Sequence, residues 1–147
     1  MPERSKSAER WLDLEHMATV EATSEDPDFP IESAFVSGGR GWRASGKGEQ
    51  QIRIIFDEPV SIQRIHLRFE EAEVERTQEF TIRWAGVEGG PEKEVVRQQW
   101  NFSPTGSASE VEDYNVHLDG VSVLELTIRP DLTRRDVSAT LAEWRIA

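Results

Sequence analysis

The sequence predicts an all-β fold, an antiparallel β-sandwich, and three observations carry that reading. From residue 50 onward apolar side chains recur with period two, as half-buried strands require because successive side chains point to opposite faces. Turn-forming residues bound these runs at the spacing of a sandwich. Helical spacing is scarce, and 147 residues suffice for one domain that buries roughly 70 % of the surface its unfolded chain exposes.

Taken in order, residues 1–10 read as a polar, flexible lead-in to a single domain spanning 1–147, and Met17 to Thr23 as a short first strand. In "QQIRIIF", Ile52, Ile54 and Phe56 share one face while Gln51 and Arg53 take the other. "RIHLRFE" sends Ile65, Leu67 and Phe69 inward, and "EFTIRWA" does the same with Phe80, Ile82 and Trp84. Further strands are expected in "EVVRQQWNF", "DYNVHLD", "VSVLELTIRP" and "SATLAEWRIA". In these, Tyr114, Val116 and Leu118 form one inward row and Leu124, Leu126 and Ile128 another. "DEP" at 57–59, "GVEGGP" at 86–91 and the Asp-Gly pair in "LDGVS" read as turns between strands. "EEAEVERTQ" is a solvated connection with room for a brief helical turn. Two long loops, 24–49 and 103–110, are the places to look for function.

Composition narrows the partners. With 28 acidic against 17 basic residues the formal charge is −11, and mean hydropathy is −0.58. Such a field repels phosphate backbones and anionic membranes, so neither nucleic acid nor membrane is an expected partner. No cysteine is present, which excludes disulfides and thiolate metal sites and suits a reducing compartment. No segment approaches the ~20 apolar residues of a membrane span, and "MPERSKSAERWLDLEHMATV" lacks an apolar run of signal-peptide length. A cytoplasmic protein is expected.

The ordered segments "FPIESAFVSGGRGWRA", "QQIRIIFDEPVSIQRIHLRF", "RTQEFTIRW" and "VSATLAEWRIA" together resemble a discoidin-type domain, the coagulation-factor C-type or galactose-binding-like jelly roll. No single motif carries the resemblance; the order of weak features does, from about residue 17 to the end. It implies a jelly roll of about eight strands whose loops at one end bind small ligands, most often sugars. The expected function is therefore a non-catalytic carbohydrate-binding module. Relatives often hold calcium at the loop end, and Glu143 matches the terminal-strand glutamate that often ligates it. "AFVSGGRGW" offers no aspartate on the other side, and Arg40 would repel a cation, so no cofactor or metal is expected.

Five residues are singled out as ligand contacts. Two roles are open to Trp42: an exposed ring stacked on a pyranose, or a plug closing the end of the sandwich, the role usual at this position in the family. Arg43 beside it is the stronger contact. Arg76 either reaches the same end to bind a carboxylate, phosphate or polyol, or pairs with the Glu70–Glu75 run. Asn101 and Ser103 open the loop "NFSPTGSASE", whose Trp100 reads as core. His16, His66 and His117 stand isolated, with no nucleophile motif or metal spacing near them. A second reading from another class is a protein-interaction or self-assembling module whose outward face carries Arg53, Arg68 and Arg83. A third is a glycoside hydrolase, which would need a carboxylate pair at a separation the sequence does not give.

Overall fold

A computed structural model describes residues 11–103, 105–134 and 136–147, so the lead-in expected over residues 1–10 lies outside the described part. After one helical turn at Leu14–Met17, the strands are β1 (Ala18–Ala22), β2 (Trp42–Arg43), β3 (Gln50–Glu70), β4 (Arg76–Ala85), β5 (Lys93–Phe102), β6 (Ser109–Arg129), β7 (Thr140–Leu141) and β8 (Glu143–Ile146). All pairings between these strands are antiparallel. A 3-10 turn, Ile31–Phe35, interrupts the first long loop.

The two 21-residue strands, β3 and β6, pair along their whole length from Gln50↔Ile128 to Glu70↔Ser109 and belong to both layers. Their 50–56 and 121–129 halves form one layer with β1, β4 and β5, in the order β1-β3-β6-β4-β5. Their other halves form the second layer, where β8 joins β3 at Ile65↔Ile146 and Leu67↔Trp144.

Here the structure differs from the sequence reading. Asp57-Glu58-Pro59 and Asp119-Gly120 are not hairpin turns; β3 and β6 continue through them. Between Ile55↔Val123 and Val60↔Val121 the extra residues fall on β3, and between Val121 and Leu118 they fall on β6, where Gly120 takes φ 71°. Bulges of this kind leave residues unpaired, raise the twist and bend both strands, which is how one strand pair passes from one layer to the other. Turn-forming residues satisfy a bulge as well as a hairpin, so local chemistry could not choose between them. Residues 71–75 form a bend, not a helical turn: the Glu71 carboxylate accepts the N–H groups of Glu73 and Val74 at 3.0 and 3.1 Å.

The core lies between the layers. Ile52, Ile54, Phe56, Ile65, Leu67 and Phe69 are all buried, and Phe69 stacks on Phe80 across the gap with centroids 5.2 Å apart. Trp144 packs against Phe35 of the 3-10 turn at 5.6 Å, tying the first long loop to the last strand. Centrally placed β6 is buried on both faces from Val123 to Ile128, because the long side chains around Glu125 and Thr127 cover the outward side. That double burial is why its period-two pattern is weaker than that of β3.

Candidate ligand pocket at the loop end

Three connections meet at one end of the sandwich: the 24–49 loop, the 70–74 bend, and residues 131–134 and 136–139, which lie between β6 and β7. They enclose a cavity of about 370 Å³, open to solvent. Pockets of this size hold small ligands.

The glycine-rich loop builds its floor. Gly41 takes φ 82°, and a Cβ there would lie 2.9 Å from the Leu141 carbonyl oxygen, so only glycine lets this backbone approach β7. The approach allows the two-residue ladder Trp42↔Leu141 and Arg43↔Thr140. The Trp42 ring is buried, 2 % exposed, with its Nε1 donating to the Ser24 carbonyl at 3.0 Å. It packs the floor and presents almost no surface for stacking on a ligand. Arg43 points the other way, into the mouth. Its backbone is fixed by Arg43 N–H to the Phe29 carbonyl (3.2 Å) and Asp26 N–H to the Arg43 carbonyl (2.8 Å). The guanidinium then lies 5.0 Å from the Phe29 ring centroid, and that of Arg40 lies 4.7 Å from the same ring. Phe29 therefore holds two cations in place by cation–π attraction.

Arg76 stands behind the wall. It is 3 % exposed and donates to Glu71 Oε1 (2.6 Å), Gln78 Oε1 (2.9 Å) and the Pro130 carbonyl (2.8 Å), with its guanidinium 4.6 Å from the Phe102 ring centroid. Glu71 lines the cavity; Arg76 does not. Burial works to raise the Glu71 carboxyl, but the Arg76 hydrogen bond, helped by the Glu73 and Val74 N–H groups, holds it below the usual carboxylate range.

The remaining candidates lie elsewhere. Asn101 is exposed on β5, accepting from Thr77 Oγ1 at 2.7 Å, and Ser103 caps a local turn with Ser107; neither lines the cavity. Glu143 is engaged by two guanidinium groups, Arg68 at 3.7 Å and Arg145 at 3.5 Å, which a cation would have to displace. Arg53 and Arg83 share the outward face of one layer, flanking Glu125, whereas Arg68 lies on the outward face of the other. Sequence reasoning did not name Phe29, Glu73 or Arg134 as lining residues. Arg134 comes from the 131–139 connection, whose signal was the polar run "PDLTRRD" between two apolar strands.

A two-layer antiparallel sandwich with a pocket among the loops at one end defines the class: the chain has the discoidin-like, galactose-binding-like fold. In sequence no family model and no curated relative matches it. Among solved structures it is similar to the third family 32 carbohydrate-binding module of a family 31 glycoside hydrolase from Clostridium perfringens, with TM-score 0.67 and 19 % identity, over 96 % of both chains. It is also similar to the family 32 module of C. perfringens NanJ in complex with galactose (TM-score 0.66, 17 % identity, 92 % of this chain and 96 % of that one). A third is the family 32 module of AlyQ in complex with 4,5-unsaturated mannuronic acid (TM-score 0.65, 16 % identity, 94 % and 98 %).

Proposed function

We propose that this chain is a non-catalytic carbohydrate-binding domain and that the loop-end cavity is its binding site. The observation that carries the reading is the convergence, around about 370 Å³, of two exposed guanidinium groups fixed on Phe29, the Glu73 carboxylate and the apolar side chains of Ala72 and Val74. Few convergent polar groups over an apolar wall are the means by which a rigid scaffold holds a polyol. Support comes from the similar modules in complex with sugars. In the reading, Arg43 is the central contact, Trp42 acts as the floor, and Arg76 acts through Glu71.

The non-catalytic part rests on the state of the lining carboxylates. Glu71 is engaged by Arg76, Glu70 by Arg68 and Asp136 by Arg134, so Glu73 alone lacks a cation among the four. A glycosidase needs a pair of carboxylates free to work across a bond. A cytoplasmic setting belongs to the same reading and rests on the cysteine-free composition; recovery of the protein in the soluble cytoplasmic fraction of its host would check it. Glycan-array screening followed by calorimetry tests the main proposal. A glycan bound at micromolar to low millimolar strength, weakened by Arg43→Gln in a folded variant, is the expected result. Failure of every glycan to bind would overturn it.

A further inference from the structure

Arg40 and Arg43 are anomalous in this molecule. Acidic residues outnumber basic ones by 28 to 17, and every other described arginine has a carboxylate oxygen within 4.0 Å. Among the described residues, these two have none. Neither donates a side-chain hydrogen bond to any acceptor among the described residues; each is held only by the face of Phe29. A guanidinium carries five N–H donors in a rigid fork matched to a carboxylate. Two such forks, fixed in one pocket of a strongly acidic chain and left without a protein partner, point to an anionic partner from outside.

The pocket also limits how much negative charge that partner carries. Of its lining charges, Arg134 is taken by Asp136 at 3.2 Å, Glu71 by Arg76 at 2.6 Å, and Glu70 by Arg68. Among the described lining residues, what remains is Arg40 and Arg43 against the single unpaired carboxylate of Glu73, a surplus of one positive charge. A phosphate dianion or a densely sulfated chain would meet Glu73 and the field of a chain of formal charge −11. A sugar bearing one carboxylate meets the surplus, and its hydroxyl groups can donate to Glu73.

Resting on the sugar-binding reading above, we infer that the pocket is selective for uronic-acid residues. Arg40 and Arg43 receive the sugar carboxylate, Glu73 accepts from ring hydroxyls, and Phe29 keeps both guanidinium groups oriented before the ligand arrives. Holding them in place in advance lowers the ordering cost of binding.

The test measures calorimetric affinity for oligosaccharides of galacturonate, glucuronate, mannuronate and guluronate, each beside its carboxyl-reduced neutral counterpart. At least one uronate should bind about tenfold or more tighter than its neutral twin, the ratio expected for charge-assisted bonds in a half-open site. The preference should shrink when salt is raised from about 50 mM to about 500 mM. It should disappear in the Arg40→Gln/Arg43→Gln double variant, whose circular dichroism and melting temperature report that it is folded. Neutral sugars binding as well as uronates would overturn the inference while leaving the carbohydrate-binding reading intact. Uronate binding unchanged in the double variant would do the same, as would equal affinity for sulfated glycans or inorganic phosphate. Failure of every glycan would remove both.

Discussion

Arg43 and Arg76 flank one pocket, and their surroundings assign them opposite work. The Arg43 guanidinium is exposed in the mouth and, among the described residues, is held only by the face of an aromatic ring. Arg76 is 3 % exposed behind the wall, with a carboxylate, an amide oxygen and a backbone carbonyl on its donors. A buried guanidinium must have its partners inside the protein, because taking a charge out of water is too costly otherwise. An exposed one is free to take its partner from solution. The difference between floor and rim therefore separates what holds the site from what the site holds.

Two substitutions, one on the floor and one behind the wall, test that division where the effects should be largest. Trp42→Ala empties a large buried aromatic site and removes the bond to Ser24, so unfolding free energy should fall by about 3 to 5 kcal/mol. Urea titration measures it; a loss under about 1 kcal/mol would mean the ring does not support the loop. Arg76→Met leaves the Glu71 carboxylate without its cation in a largely covered position and should cost about 3 kcal/mol. The same variant should let the Glu71 pKa rise, since Arg76 supplies the leading hydrogen bond that lowers it. Stability that depends on an ionised, bonded Glu71 is present at neutral pH and lost as pH falls through its depressed pKa, so the variant should also lose part of the acid limb of the wild-type profile.

Much of the scaffold was legible in the sequence, for a stated reason. Rows such as Ile52, Ile54, Phe56 and Ile65, Leu67, Phe69 obey a local period, and all six are buried. Less of the pocket was legible. Asp-Gly and Asp-Glu-Pro signal a change of direction without saying whether the chain reverses or bends, and here both mark bulges. The lining residue Arg134 lies more than a hundred positions from Phe29, and the β2–β7 ladder, with the Ala44 and Gly48 N–H groups on the Ala139 and Val137 carbonyls, brings their loops together. Nothing local distinguishes Arg76 from Arg43. Whether a guanidinium pairs with Glu71 or faces solvent is a property of the packed end, and it was open in the sequence for that reason.

The buried side of the comparison extends past Arg76. Gln78 Nε2 donates to Glu110 Oε1 at 3.4 Å, and Glu110 is fully buried while its Oε2 has no hydrogen-bond partner. Burial, followed by the interaction with the neighbouring Glu112 carboxylate, pushes the Glu110 carboxyl up to about 9, against the pull of Gln78 and Arg76. The folded state then keeps a proton that the unfolded chain releases near the ordinary carboxylate value. Stability is full below that value and declines as pH rises toward about 9. Glu110→Gln keeps the acceptor for Gln78 and removes the titration. It should be more stable than wild type by on the order of 2 kcal/mol at neutral pH, with a flatter profile between about pH 5 and about pH 9. Parallel wild-type and variant profiles would show that Glu110 is ionised in the fold.

The smallest expected change completes the contrast. An exposed cation–π contact contributes about 0.5 to 1 kcal/mol, and Gln at position 43 keeps much of the side-chain length, so Arg43→Gln should shift unfolding by no more than about 0.5 kcal/mol. The Phe29 and Asp26 backbone bonds that fix residue 43 do not involve its side chain, so the β2–β7 ladder should survive. Urea midpoints and hydrogen exchange at the Arg43 and Ala44 amides measure the two effects together. Ala44 N–H donates to the Ala139 carbonyl at 2.9 Å, so its protection reports directly on whether the floor remains closed. A loss above about 1 kcal/mol, with exchange accelerated at both amides, would show that the guanidinium braces the loop through Phe29. Arg43 would then belong with Arg76 among the groups that build the pocket, and weakened glycan binding in the variant would have to be read as collapse of the site, not loss of a contact.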